Sequence, residues 1–374
     1  MWPALLGLAS RLASRRADRL PDDQFPRLSV VCAAHNEEPV IAGKIRNSLA
    51  LDYPPGLLEV VVVSDGSSDR TVPEARQIAD PRLRLIVSET QNGKSASLNL
   101  AREQTNGDIV LFTDANAMLD PGSARMLAAR FVPGVGCVSG ELRYARDGAE
   151  TSAGGSLYWR YDSAIKRAES AFGCLIGGVG PIFAIRRELW RDLAPAEVPD
   201  LALGMTALEA GQKAVYVPDA FCVERVAESV GHEQRRYRRI IGRSISTAGR
   251  CALRLLAKGR LTALWFLFWH KLARYFTAPL LIAAVALAAL SARETGGALI
   301  LSASALAVLL ALLGRFLPLR PLRLAYYAAS VLGAGGLGVL DWVLGRTSPT
   351  WSVPVRSPDD PAAVQAASVE DHAR

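Results

Sequence analysis

From Leu28 onward, short apolar runs alternate with stretches of mixed polarity. Leu28–Ala34 (LSVVCAA) and Leu58–Ser64 (LEVVVVS) are nearly continuous apolar runs, the pattern of strands buried on both faces. Leu83–Val87 and Ile109–Phe112 follow, with helix-like stretches near Pro39–Ala50, Arg70–Ala79 and Ser95–Thr105 between the four runs. Strands separated by helices predict a parallel sheet in a doubly wound α/β domain. Such sheets bind ligands at the carboxyl ends of their strands, so the residues just after each strand are the first candidates for chemistry.

Beyond Ala220 the pattern changes. Glu233–Arg260 is strongly basic and reads as a helix, and Leu261–Trp269 (LTALWFLFW) is apolar and aromatic but too short to cross a bilayer. Both suit helices lying in the membrane interface, where Trp is enriched. Three longer apolar runs follow, Phe276–Ala292, Gly297–Leu313 and Leu324–Leu340. Each is about 17 residues, the lower end for a spanning helix at ~1.5 Å per residue. The alternative, three buried helices of a soluble bundle, is disfavoured because such runs in succession are rare in soluble folds.

Composition agrees with a membrane part: half of the 374 residues are hydrophobic and the mean hydropathy is +0.17. The net charge of +7 is gathered at Arg11–Arg19, Arg235–Arg250 and Arg315–Arg323, each beside apolar sequence. That favours an anionic membrane face over nucleic acid, for which no zinc-finger or RNP-like pattern speaks. The loop between the first two apolar runs holds Arg293 and Glu294; the next holds Arg315, Arg320 and Arg323. The positive-inside rule then puts the second loop and the α/β domain in the cytosol, with the tail carrying Asp359, Asp360, Glu370 and Asp371 outside. That tail's Pro, Ala and Ser content predicts disorder. The apolar Met1–Ala9 precedes its arginines, the reverse of a signal peptide, and suits a short helix on the membrane face. The five cysteines, Cys32, Cys137, Cys174, Cys222 and Cys251, are widely spaced without a CxxC. Reduced cytosolic thiols are the plain reading.

Four features sit where chemistry is expected. Asp65-Gly66-Ser67-Ser68-Asp69 follows the second run; its carboxylates can grip hydroxyls or a base edge, or it is an ordinary turn before a helix. Thr113-Asp114-Ala115-Asn116 follows the fourth run. Asp114 and Asn116, two residues apart, can supply oxygens to one Mg²⁺ or Mn²⁺ held against a diphosphate; a helix cap is the competing reading. Asn92 to Asn99 (NGKSASLN) lacks the Walker glycine spacing, but Lys94 opens a helix where a phosphate can bind. His270 and Lys271 fall at the membrane boundary, where a lone His is more often structural than catalytic.

In order, the chain reads AAHNEE (Ala33–Glu38), DGSSD, GKSASLNLA, FTDAN, GGVGPIFAIRR (Gly177–Arg187), VPD (Val198–Asp200), QRRYR (Gln234–Arg238) and WHKLARY (Trp269–Tyr275). This series closely resembles the bacterial membrane glycosyltransferases of family 2, the superfamily of cellulose and hyaluronan synthases. The likeness runs from about Leu28 to Tyr275, and loosely to Arg356 through the WSVPVR ending. The resemblance implies a GT-A fold, a Rossmann-like, doubly wound mixed sheet, and inverting transfer from a nucleotide-diphosphate sugar. By it, Ala34, Glu37 and Asp65 lie near the nucleoside. Asp114 and Asn116 take the family's metal-binding Asp-x-Asp position, with Asn in place of the second Asp. Asp200 takes the general-base position, with Pro199 in place of the usual acidic neighbour.

Read from the residues alone, Asp200 is the N-cap of a helix over Leu201–Ala210. Gln234, Arg236, Tyr237 and Arg238 fall near the family's Gln-x-x-Arg-Trp motif. Strict spacing puts Tyr237 and Arg238 on its Arg and Trp, and a one-residue slip puts Arg236 and Tyr237 there instead. Tyr237 offers a stacking face to a sugar, and Arg236 or Arg238 a cation to the departing diphosphate; a basic face on anionic lipid is the bland alternative.

The layout expected is a membrane-surface segment (1–24), a GT-A domain (25–228), interfacial amphipathic helices (229–271), about three transmembrane helices (272–345) and a disordered tail (346–374). The function expected is transfer of a sugar, UDP-linked, to a hydroxyl of a lipid-linked or glycan acceptor at the cell membrane, with a divalent cation and membrane lipids as partners. Two alternatives stand beside it. One is a processive polysaccharide synthase. The other is a catalytically weak sugar-nucleotide-binding subunit, motivated by Asn116, Pro199 and Tyr237.

Overall fold

The computed structural model describes residues 18–145, 153–225, 230–317 and 319–346, with side chains left out at the edges of these segments, among them 225 and 230–236. The expected N-terminal surface helix, the WSVPVR ending and the acidic tail lie outside the described residues.

The apolar runs are strands as expected: β1 (Leu28–Ala34), β2 (Leu58–Asp65), β3 (Leu83–Ser88) and β4 (Ile109–Asp114). The helices between them are α1 (Ile41–Leu49), α2 (Thr71–Arg76) and α3 (Lys94–Glu103). After β4 come β5 (Met118–Leu119), α4 (Ser123–Ala128), β6 (Val135–Ala145), α5 (Ala153–Ala171) and β7 (Phe183–Arg186). Then follow α6 (Pro199–Gly204), α7 (Thr206–Glu209) and β8 (Lys213–Arg225). One eight-stranded sheet runs β3-β2-β1-β4-β7-β6-β8-β5.

Only its first half is the parallel sheet that alternation alone predicts. β1 pairs in parallel with β2 and β4, while β7 lies antiparallel to both β4 and β6. The mixed sheet implied by the family resemblance is what forms. Alternation divides the core: Val31, Ala33, Val61, Val63, Val110 and Phe112 face one layer, and Val30, Cys32, Val60, Val62 and Leu111 the other. β3 is the edge strand and is only partly covered. All five cysteines are buried and unpaired, in line with the reduced-thiol reading.

The basic stretch forms a long helix, α8 (Val230–Ala257). α9 (Leu261–Leu267) passes through a π-turn (Phe268–Leu272) into Ala273–Tyr275. Three apolar helices follow: α10 (Thr277–Leu290), α11 (Thr295–Phe316) and α12 (Arg320–Val343). Two segments, Thr295–Phe316 and Pro321–Val343, are long and apolar enough to cross a membrane. The first expected run falls short by itself. The 14 residues of α10 reach only about 21 Å at ~1.5 Å per residue. It qualifies only together with Leu261–Tyr275, from which it is bent by 59°. Ile282, Leu290, Val308 and Phe316 are exposed, and helices that are apolar all round and uncovered by protein suit a lipid solvent. Two of these helices thus have the length and composition of membrane spans.

α12 is fastened to α8. Arg238 grips Asp341 with two nitrogens, and Trp342 Nε1 donates to Ser246 Oγ at 2.8 Å. A Cβ on Gly338 would stand 2.7 Å from the Arg238 carbonyl, so the close approach of the two helices needs a residue without a side chain.

Candidate functional site

β1 and β4 are neighbours, with β2 beyond β1, so the crossover direction reverses between them and opens a crevice at their carboxyl ends. The register sets Ala33 beside Asp114 and Ala34 beside Ser64. Ala34, Asp65 and Asp114 therefore share one edge of the sheet.

The turn after β1 is interlocked with the turn after β2. Asn36 is the only non-glycine residue with positive φ (53°) among the described residues. Its backbone N–H donates to Ser67 Oγ at 3.2 Å, and its side-chain carbonyl accepts the Ser68 N–H at 2.8 Å. His35 Nδ1 lies 2.7 Å from the Asp65 carbonyl, which can only accept, so that nitrogen carries the proton. Glu37 is buried and donates its N–H to Thr71 Oγ1. Asp69 takes the turn reading: its carboxylate accepts the Thr71 and Glu38 amides.

Asp65 is 1% exposed and accepts the Asn92 and Gly93 amides, each at 2.9 Å. It braces the loop that opens α3, and each carboxylate oxygen keeps a second lone pair. Gly93, at φ 91°, makes the sharp turn that starts the helix at Lys94.

Lys94 reaches across the edge, and its ammonium is ion-paired with Asp114 Oδ1. Burial would lower its pKa, but the charge and hydrogen bond of Asp114, with the charge of Asp200 behind them, hold it above the ordinary lysine value. Two candidates from separate parts of the chain thus meet, and a third, Asp200, lies within reach of their charge. Beneath them Lys44, fully buried in α1, donates to Thr113 Oγ1 at 2.7 Å and to the Ala117 carbonyl. It fixes the turn that presents Asp114 and Asn116, and burial lowers its pKa. Sequence reading missed Lys44, although its place between Ile41, Ile45 and Ser48 on the inward face of α1 was a signal.

Asp200 lies in the first turn of α6 but is not its N-cap, which corrects the capping reading: Asp200 is the second residue, Val198 is the N-cap and Pro199 opens the helix. Proline is favoured there because its fixed φ suits the helix and its missing N–H is not needed. The departure at Pro199 thus has a structural reason. The Gly177–Gly180 loop cradles this helix: Gly178 N–H donates to the Asp200 carbonyl at 2.9 Å, and a Cβ on Gly180 would stand 3.6 Å from Asp200 Oδ2. A Cβ on Gly204 would come within 2.4 Å of the Gly178 nitrogen. Gly204→Ala should therefore cost about 1–3 kcal/mol through overpacking, read as a lowered Tm of the purified protein; an unchanged Tm would show that the loop yields freely.

On α8 the side chains of Gln234 and Arg236 lie outside the described residues. Tyr237 is half-buried. Arg238 is committed to Asp341 on α12, so it faces that helix. Further along, Arg243 has a buried Nε with no hydrogen-bond partner and lies near enough to Asp200 to feel its charge. Burial, then the charge of Arg239, lower its pKa. His270 has the structural role weighed for it: its Nδ1 meets Glu169 Oε1 at 2.6 Å, both side chains are buried, and the pair ties the π-turn to α5.

Among the described residues no three His, Cys, Asp or Glu side chains group as a metal cage. A hard cation that keeps waters and takes substrate phosphates needs only one or two protein oxygens. Asp114, with its side chain 29% exposed, and the half-buried Asn116 two residues on fit that sparse pattern.

Residues 26–242 match the model of the glycosyltransferase-like family 2. An N-acetylglucosaminyltransferase of Rhizobium sp. (strain N33) is 28% identical over 246 residues, 61% of this chain and 55% of that protein. A beta-monoglucosyldiacylglycerol synthase of Trichormus variabilis is 38% identical over 99 residues, 25% of this chain and 21% of that one. The chain spans about half the length of the N-acetylglucosaminyltransferases it matches. Among solved structures, the mannosyltransferase PcManGT from Pyrobaculum calidifontis, in complex with GDP-Man and Mn²⁺, shares the fold. Its TM-score is 0.68 at 24% identity, covering 92% of this chain and 95% of that one.

Proposed function

The chain belongs to glycosyltransferase family 2, and from that premise we propose that it transfers a sugar, with inversion, from a UDP-linked donor to a hydroxyl of a lipid-linked or glycan acceptor at the membrane surface. The observation that carries this reading is the ion pair of Lys94 with Asp114 at the carboxyl edge of β1 and β4, with Asp200 close enough for its charge to act on Lys94. A cation and a carboxylate from two elements, with a second carboxylate in range, stand where such sheets bind nucleotides.

In this reading Ala34, Glu37 and Asp65 line the nucleoside end, and Lys94 holds a phosphate oxygen. Asp114 and Asn116 would hold a divalent cation, Mg²⁺ or Mn²⁺, which when bound neutralises the diphosphate. Asp200 removes the acceptor proton as the hydroxyl attacks the anomeric carbon from the face opposite the leaving group; attack in line inverts that centre. Arg236 and Tyr237 meet the diphosphate and the acceptor sugar. Arg243, whose Nε lacks a partner near Asp200, is a further cation for the same negative charge.

The membrane context is part of the proposal. Leu253, Leu256, Leu261, Trp265, Phe268 and Trp269 are all exposed, running from the end of α8 across α9. Lys258 and Arg260 stand beside them. An apolar strip with cations at its edge suits an anionic bilayer surface. Arg315 at the end of α11 and Arg320 and Arg323 in the first turn of α12 support a cytosolic placement of the catalytic domain.

The test is nucleoside-diphosphate release by purified full-length protein in detergent, over UDP-GlcNAc, UDP-glucose and GDP-mannose with Mn²⁺ or Mg²⁺, plus lipid extract as acceptor source. Release with a UDP-sugar, abolished by EDTA and restored by added cation, is the expected result. Release with GDP-mannose alone corrects the donor. Activity unaffected by EDTA removes the cation from the reading. Donor binding without turnover favours the sugar-nucleotide-binding subunit, the reading that Asn116, Pro199 and Tyr237 motivate, and a ladder of products favours a processive synthase.

A further inference from the structure

Three arginines converge on one buried carboxylate, three residues before Asp200 and beside the start of the helix that carries Lys94. Glu197 is 1% exposed. Its Oε2 accepts Arg191 Nη1 at 2.8 Å and the Ala194 amide at 3.0 Å. Its Oε1 accepts Arg191 Nη2 at 3.0 Å and Arg254 Nη2 at 3.3 Å, and Arg250 Nε lies 3.4 Å from the same oxygen. Arg250 and Arg254 are four residues apart on α8, so they present their guanidinium groups on one face.

The strap that carries Glu197, residues 193–198, is tied on both sides through its backbone. The Glu197 carbonyl accepts Ser95 Oγ at 2.8 Å, and Asn99 exchanges two 2.9 Å hydrogen bonds with Leu193. These fasten the strap to α3, whose first residue is Lys94. On the other side the Val198 N–H donates to Thr247 Oγ1 of α8 at 3.1 Å. The strap then runs directly into α6 and Asp200.

We propose that Glu197 is a positioning residue for sugar transfer: it locks residues 193–198 between α3 and α8 and so holds Asp200 at a fixed distance from Lys94 and Asp114. This rests on the reading of Asp200 as base and of the Lys94–Asp114 edge as donor site. A misplacement of about 1 Å can cost on the order of 10²-fold in rate, so a rigid strap matters to turnover more than to affinity. A neutral amide at Glu197 removes the one carboxylate that Arg191, Arg250 and Arg254 share and leaves Glu209, 3.9 Å from Arg254, as the remaining counter-charge. Burial would raise the Glu197 carboxyl, but hydrogen bonds from Arg191 and Ala194 and the charges of Arg191 and Arg254 hold it at about 2. A group lowered in this way braces fully above the ordinary carboxylate range and lets go only as pH falls toward that value. Across neutral pH the clamp is constant.

The experiment compares kcat and donor KM of full-length wild type, Glu197→Gln and Thr247→Val, with Tm measured on each. Glu197→Gln should lower kcat by about 10–100-fold with donor KM within about threefold. Thr247→Val leaves the arginine cluster intact and removes only the other anchor. It should lower kcat by roughly 3–10-fold with little change in Tm, and it decides the matter if Glu197→Gln does not fold. Both variants turning over at the wild-type kcat, whatever their Tm, would overturn the positioning role alone. Wild type with no turnover from any donor overturns the function reading and the positioning role with it.

Discussion

Asp200→Asn is expected to lower kcat for sugar transfer by about 10²–10⁴-fold, the usual worth of a positioned general base. Donor KM should stay nearly unchanged. The substitution keeps shape and volume, and the Gly178 N–H to Asp200 carbonyl bond that seats the helix is untouched. Only the capacity to take a proton goes. An acceptor hydroxyl is a poor nucleophile until that proton leaves, so the loss belongs to the transition state and appears in kcat. A variant retaining a tenth or more of wild-type kcat would show that Asp200 is a first-turn residue of α6 and no more. Product analysis on wild type completes the test, since a retained anomeric configuration would exclude direct attack with a single base.

Asp114→Ala is expected to lower kcat/KM by about 10²–10³-fold, as loss of one preorganised electrostatic partner does elsewhere, with donor KM rising. Two things disappear together: the counter-charge of Lys94 and the carboxylate proposed for the cation. The pH dependence separates them from a mere folding effect. Lys94 is raised above its ordinary value chiefly because Asp114 outweighs its burial. The ion pair is therefore intact below the ordinary lysine pKa of about 10.4 and is lost only as pH climbs through the raised value. Without Asp114 the burial effect prevails, so the alkaline limb of the activity profile should move to lower pH. An unchanged alkaline limb in a folded Asp114→Ala protein would separate Lys94 from the donor site.

The cation can be followed in the same experiment. If Asp114 carries it, residual Asp114→Ala activity should no longer respond to EDTA. A residual activity still abolished by EDTA would place the cation on other groups, with the substrate diphosphate the first suspect.

The strands and the order of the site motifs were legible in the sequence because each depends on near neighbours. Leu28–Ala34 announces a strand buried on both faces, and the residues after it and after Ile109–Phe112 fall at the ligand edge because every parallel strand points the same way. Three things were not legible. Strand pairing beyond β4 depends on long-range contacts, so the antiparallel entry of β7 between β4 and β6 cannot be read from alternation. The first apolar run looked like its two successors, but a break at Phe276 leaves α10 only 14 residues, and hydropathy carries no information about where a helix bends. Arg236 and Arg238 were equal on spacing; Asp341, more than a hundred residues away, engages Arg238.

By itself the sequence determined the α/β class, the basic and apolar character of the C-terminal helices and the residue types at the ligand edge, since periodicity, charge and turn chemistry are local properties. Only the tertiary structure decided what those residues do to one another. It set Lys94 against Asp114, put Lys44 beneath them, and gathered Arg191, Arg250 and Arg254 around Glu197. The physical reason is that a buried charge must find its partner in space, and distance along the chain says nothing about which partner that is.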